Sequence, residues 1–134
     1  MDRMGKINGA HVGKVVESVR LCPARDALAI VFDDNTSYVL VAEGDCCANA
    51  WIEAVESFGF KGRFLGISSP PDREDKSGDD PTSPGDVLDI NFYDFRTDHG
   101  RLLVELRTSH NGYYSGRLTE DSNHPIGADW KLVE

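Results

Sequence analysis

Apolar residues recur at every second position in several short runs of this chain, the spacing that sends alternate side chains to opposite faces of a strand. Asp26 to Phe32 reads DALAIVF, with Leu28, Ile30 and Phe32 on one face and Ala27, Ala29 and Val31 on the other. Asp33-Asp34-Asn35-Thr36 is a turn signal and Ser37 to Ala42, SYVLVA, is a second β-rich run, so the two runs predict a hairpin. A Val-rich run between Val12 and Arg20 predicts an earlier strand, interrupted at Pro23. Further on, Asp86 to Phe95 sets Leu88, Ile90 and Phe92 on one face and Asp89, Asn91 and Tyr93 on the other. Arg101 to Thr108 sets Leu102, Val104 and Leu106 inward, with Leu103, Glu105 and Arg107 outward. Alternation this regular predicts an antiparallel sheet with one wetter face. Ser109-His110-Asn111-Gly112 is a turn whose Asn-Gly favours a tight hairpin, with Tyr113 to Thr119 as a last strand.

One segment has a different period. From Cys46 to Phe58, Trp51, Val55 and Phe58 stand at helical spacing with Ile52 beside them, while Glu53 and Glu56 would face water. Asp45 suits the cap of such a helix and Gly59 its stop, so a short helix lying on the sheet is predicted. Between Phe60 and Ile67, Phe64, Leu65 and Ile67 are expected to return to the core. Ser68 to Gly85 then carries four prolines, two glycines and no large apolar residue. Nothing in it can offset the entropy of ordering by apolar burial, so it reads as a flexible, disordered Pro/Asp-rich surface insertion. In the tail, Trp130, Leu132 and Val133 are candidates to dock the chain end. The expectation is an α+β fold: one small domain over residues 10–134, dominated by an antiparallel sheet, with one packed helix and the insertion at 68–85.

Composition adds limits. With 134 residues, 40% of them hydrophobic, the chain can build a core without metal or disulfide help. Its formal net charge is −9, from 14 basic and 23 acidic residues. The basic residues are scattered, which argues against a DNA or RNA partner, while the acidic excess suits a basic protein one. Asp72, Glu74, Asp75, Asp79, Asp80 and Asp86 lie in or beside the insertion, so much of this charge sits there and the rest of the chain is closer to neutral. No apolar run is long enough for a bilayer, and Met1 to Lys6 has no signal-peptide pattern behind it. Cys22, Cys46 and Cys47 are an odd count with one adjacent pair, which fits a reducing cytoplasm.

Candidate chemistry is sparse. Cys46-Cys47 beside Asp45 lacks the spaced pair of a tetrahedral zinc site, so no metal and no cofactor is expected, and the cysteines read first as structural groups and only second as ligands. Ser109 and His110 are nucleophile and base types, but neighbours seldom aim at one another and no nucleophile elbow is present. The run Asn111-Gly112-Tyr113-Tyr114-Ser115-Gly116, flanked by Arg107 and Arg117, combines the residue types of recognition surfaces. Arg107, Asn111, Tyr113, Tyr114 and Arg117 are therefore the binding candidates, and the chain reads as no enzyme.

Gly44-Asp45-Cys46-Cys47-Ala48-Asn49-Ala50-Trp51-Ile52-Glu53, followed by Ser109-His110-Asn111-Gly112-Tyr113-Tyr114-Ser115-Gly116, resembles a family of small uncharacterised bacteriophage and prophage proteins. That family has an Asp-Cys-Cys signature and an Asn-Gly-Tyr-Tyr hairpin, and the resemblance spans most of Asp26 to Leu118. It implies a phage accessory protein in the host bacterial cytoplasm and carries no catalytic residue with it. The insertion at 68–85 departs from the simplest form of that family. The expected function is binding and modulation of a host or defence protein. The alternatives are sequestration of a small nucleotide-like signalling ligand and a minor structural role. An exposed sheet edge would also suit a homodimer.

Overall fold

In the computed structural model, which describes residues 10–133, the chain forms ten strands and, among those residues, no helix. They are β1 (Val16–Leu21), β2 (Ala27–Phe32), β3 (Ser37–Gly44), β4 (Asn49–Phe58), β5 (Phe64–Ser68), β6 (Lys76–Asp79), β7 (Val87–Thr97), β8 (Arg101–His110), β9 (Gly116–Glu120) and β10 (Lys131–Leu132). One antiparallel sheet runs β10-β1-β2-β3-β9 and the other β4-β8-β7-β5. β6 also pairs with β7, beside Val87–Ile90, while β5 takes the far half of the same edge. The fold is therefore all-β, and the α+β expectation is corrected. The residues read for a signal peptide, Met1 to Lys6, lie outside those described, as does Glu134. No helix among the described residues is long and apolar enough to cross a membrane.

The sheets share one apolar layer. Leu28, Ile30, Phe32, Tyr38 and Leu40 of the first sheet meet Tyr93, Phe95, Leu102, Val104 and Leu106 of the second, all at most 2% exposed. The alternations read in β2 and β8 are thus real, with Leu28, Ile30 and Phe32 and Leu102, Val104 and Leu106 turned inward, although Leu103 on the outer face is buried as well. In β7 the inward face is that of Tyr93 and Phe95, and Phe92 on the other face is also buried. Both faces of β2 are covered as well. Ala27 and Ala29 lie on its outer face, where their small size leaves room for Trp130, which closes a second cluster with Val39. Of the docking candidates in the tail, Trp130 and Val133 pack, while Leu132 is 62% exposed.

The helix expected over Cys46 to Phe58 is strand β4, and its misleading period has a physical cause. A bulge between Ile52 and Ala54 shifts the register against β8, so that Ile52 faces Leu106 and Val55 faces Val104. The inserted residue puts two inward side chains three positions apart, which imitates a helix. Trp51 and Phe58, assigned to the buried helix face, lie on the outer face opposite Arg107 and Arg101. Asp45 caps no helix, and Gly59, with φ of 63°, begins a turn after a strand. Of the three residues expected back in the core, Phe64 and Ile67 are buried and Leu65 is exposed.

The Pro/Asp-rich segment is likewise not devoid of regular structure. Its β6 pairs residue for residue with β7, from Lys76↔Ile90 to Asp79↔Val87. Its acids act as polar fasteners: Asp72 accepts two hydrogen bonds from the Arg101 guanidinium at 3.0 and 2.9 Å, and Asp75 accepts from the Phe92 N–H at 3.0 Å. Backbone pairing to an open strand edge needs no apolar side chain, which is why composition concealed it.

Candidate functional site at one end of the sandwich

Three connections meet at one end of the two sheets. Residues 45–48 carry the chain from β3 to β4, 111–115 from β8 to β9, and 80–86 from β6 to β7. Register brings them together, since Gly44 pairs with Gly116, Asn49 with Ser109 and Val87 with His110. The first two connections cross between sheets. The Asn-Gly run is therefore a crossover and not the tight hairpin expected, and Tyr113 and Tyr114 belong to the connection, not to a strand. The sheets approach closely here: a Cβ on Gly116 would press on the Thr108 side chain and come within 3.1 Å of the Ala50 Cβ. Glycine at this position leaves the space to the Thr108 side chain.

Asp45 ties the two crossovers together. Its carboxylate accepts from the Ser115 N–H at 3.0 Å, the Ser115 hydroxyl at 3.1 Å and Arg117 Nη2 at 2.9 Å. Its own N–H donates to the Ser115 carbonyl at 2.9 Å. The Arg117 guanidinium, then the Ser115 donors, hold the Asp45 carboxyl below the ordinary aspartate range. Arg117 also reaches Glu43 at 3.3 Å. Asp45 and Ser115, 70 residues apart in sequence, are in this way one structural unit.

Cys46 and Cys47 ride on the turn that Asp45 anchors. Both are exposed, on a connection between two strands. Their Sγ atoms lie 3.4 Å apart, and Cys47 has φ of 71°. The Cys47 thiol is pushed up, first by its hydrogen bond with Cys46. On the opposite crossover Tyr113 is 88% exposed while Tyr114 is half-buried. Gly112, at φ of 103°, turns the chain, and the Asn111 side-chain oxygen accepts from the Tyr113 N–H at 3.3 Å. Arg107 lies apart from this group: it is in β8, on the outer face of the other sheet, bound to Glu105 at 2.7 Å. Arg107 and Arg117 therefore do not flank one platform, and each is already paired with carboxylate.

Beneath the loops the inter-sheet layer turns polar. His110 is 6% exposed and its Nδ1 accepts from the Gly112 N–H at 2.9 Å. A ring nitrogen that accepts bears no proton, so Nε2 carries it and donates to Asp89 Oδ2 at 2.7 Å. The other Asp89 oxygen accepts from the Ser77 hydroxyl at 2.6 Å. Serine, aspartate and histidine are all present, but the hydroxyl meets the carboxylate and both ring nitrogens are occupied, so no hydroxyl is aimed at a base. Ser109 points elsewhere and donates to Asp80 at 2.6 Å. That bond, followed by those from Thr82, holds the Asp80 carboxyl below its ordinary range. The Thr108 hydroxyl is buried and, among the described residues, meets no hydrogen-bond partner. Among the described residues no group of three or more His, Cys, Asp and Glu is arranged to hold a metal ion.

Asp89, Ser77, Thr108 and Asp80 were not legible as a site from spacing alone. A signal did exist: the inward series Leu102, Val104, Leu106 continues at period two into Thr108 and His110. An inward series that changes from apolar to polar marks where a core must satisfy hydrogen bonds.

A family model described as a domain of unknown function, DUF7448, matches residues 10–119. The match takes in both crossovers and β6, and stops before Trp130. No curated protein and no solved structure matches the chain.

Proposed function

The chain belongs to the DUF7448 family, and we propose that it is a non-enzymatic binding protein that docks a protein partner through its crossover loops. The supporting observation is Tyr113, 88% exposed on a connection held at several points. Gly112 is held by His110, Tyr113 by Asn111 and Ser115 by Asp45. An aromatic side chain on a backbone already fixed loses little entropy on binding and suits an interface anchor. The formal charge of −9 favours a partner with a basic surface. Its setting in a phage-infected bacterial cytoplasm, with a host or defence protein as target, rests on the resemblance of the Asp-Cys-Cys and Asn-Gly-Tyr-Tyr runs. The sequestration reading is less well supported, because Arg107 and Arg117 are separate and already paired.

Quantitative cross-linking and pull-down from bacterial lysate, wild type against Tyr113→Ala, tests this reading. A specific partner whose Kd weakens by roughly 30-fold, the effect of about 2 kcal/mol at a hot spot, is expected. Capture unchanged by the substitution, or no specific capture by folded protein, would refute it. A melting shift with a nucleotide panel would favour ligand sequestration, and recovery of a second copy alone would favour a homodimer.

A further inference from the structure

We propose that Cys46 and Cys47 form a reversible thiol–disulfide exchange site, which an external disulfide converts to a vicinal disulfide. Three observations meet at this pair. Both side chains are exposed, on a turn joining the two sheets. Their sulfurs already lie 3.4 Å apart. Cys47 holds a left-handed backbone conformation, φ of 71°, in a residue type for which that region is uncommon. The turn is braced by Asp45, whose carbonyl accepts from the Ala48 N–H at 2.8 Å, so the two sulfurs are presented together rather than on a loose segment.

The chemistry closes without a further reagent. One thiolate of the pair attacks a sulfur of an external disulfide RSSR. The RS–SR bond breaks, RS⁻ leaves and takes a proton, and a mixed Cys–S–SR disulfide forms. The neighbouring thiolate then attacks the cysteine sulfur of that mixed disulfide, forms the Sγ–Sγ bond and expels the second RS⁻. The sum is two thiols and RSSR giving one vicinal disulfide and two RSH, with two electrons passing to the external disulfide. Closing the ring shortens the sulfur separation from 3.4 Å to about 2.05 Å. Adjacent Cα atoms are only about 3.8 Å apart across a trans peptide, below the roughly 4.4 Å at which ordinary disulfides begin. The closed form is therefore strained, and strained, exposed disulfides are the readily reduced ones. Adjacency, a poor basis for a structural bridge, is what suits this pair to exchange.

Cys22 supplies an internal control, because it is half-buried and its thiol is pushed up first by that burial. The folded chain is equilibrated in oxidised and reduced glutathione at graded ratios, quenched by alkylation, and read by intact mass and peptide mapping. The expected product is lighter by two hydrogens, retains no glutathione, resists alkylation at Cys46 and Cys47, and leaves Cys22 alkylated. It should revert to dithiol at ratios that leave unstrained structural disulfides intact. Cys46→Ser and Cys47→Ser should each lose ring closure and stop at the mixed disulfide, while Cys22→Ser should close as the wild type does. Stable glutathione adducts on the wild-type pair, a bridge between two chains, or no reaction while a reference dithiol peptide is oxidised would each overturn the proposal. The mass readout involves no partner protein, so its failure is independent of the docking reading.

Discussion

The two ends of the sandwich are closed by different physics. At the end holding the β2–β3 and β7–β8 turns the layer is sealed with rings. His11 stacks on Tyr38 at 4.5 Å and Phe32 at 5.4 Å, and Phe64 meets both Phe32 and Tyr38 at 6.1 Å. At the crossover end the same layer is sealed by hydrogen bonds through His110, Asp89 and Ser77, and by the Asp45 clamp on Ser115 and Arg117. The phenyl rings exclude water without directional demands, while His11 adds a polar one: its Nε2 meets the Glu120 carboxylate at 3.1 Å and its buried Nδ1 has no hydrogen-bond partner among the described residues. A polar seal must satisfy each atom, and at the crossover end the Thr108 hydroxyl is left without a partner among the described residues and the Cys46-Cys47 pair is left open to solvent. One end is thus closed mainly by ring packing and the other mainly by hydrogen bonds.

The sharpest way to break this comparison is at the ring end. Phe64→Ala removes a fully buried side chain and should cost about 3–5 kcal/mol in chemical denaturation, enough to threaten folding. A loss below about 1 kcal/mol would mean that the aromatic seal is not a main source of stability. Between the two ends, the Tyr93 hydroxyl accepts from the Leu118 N–H at 3.1 Å in a buried bond joining the sheets. Tyr93→Phe should cost about 1–3 kcal/mol, because it leaves that donor unsatisfied. At the polar end the sign should reverse. Thr108→Val removes an unpartnered buried hydroxyl at nearly constant shape and should stabilise by about 1 kcal/mol. A destabilisation measured by thermal or urea melting would show that this hydroxyl is satisfied in solution.

The polar end should also answer to acid. The carboxyls of Asp45 and Asp80 are both held below their ordinary range, Asp45 first by Arg117 and Asp80 first by Ser109. A depressed carboxyl contributes stability that is fully present above the unfolded value, about 3.9, and is lost as pH falls through the lower folded value. Asp45→Asn should therefore lower stability most at neutral pH and least in acid, where the wild-type carboxyl is itself protonated, and so flatten the acid limb of the stability profile. Carboxyl titration by NMR should find both groups titrating below unpaired aspartates, and ordinary values would contradict the clamp. Smallest in stability is Tyr113→Ala, within about 0.5 kcal/mol for so exposed a side chain. Its effect is expected in partner capture instead, and that contrast separates contact from packing.

Much of the fold is legible in local pattern. Period two marks β2, β3, β7 and β8, and the Asp33-Asp34-Asn35-Thr36 turn marks the β2–β3 hairpin, with Asn35 at φ of 67°. These features depend on neighbours in sequence, so the chain shows them directly. β4 is less legible, because a single bulged residue turns a strand's period into a helix-like one. β6 is not legible at all, since its four residues gain their order from the edge of β7. The candidate site is half legible: Asp45 and the tyrosine run stand out by type, whereas Thr108, His110 and Asp89 gain meaning only where the layer ends.

What the sequence determined by itself is that antiparallel strands with alternating faces would dominate, and that the Cys-Cys and Tyr-Tyr runs are unusual. Alternation is a property of neighbouring residues, so it survives without knowledge of the fold. Only the tertiary structure decided that the two runs form one surface, that Arg107 stands apart from it, and that the cysteines lie open to solvent. Those facts depend on which strands pair across the crossovers, as in Gly44 with Gly116 and Asn49 with Ser109. Long-range pairing is set by how apolar faces close on each other, and no local spacing encodes it.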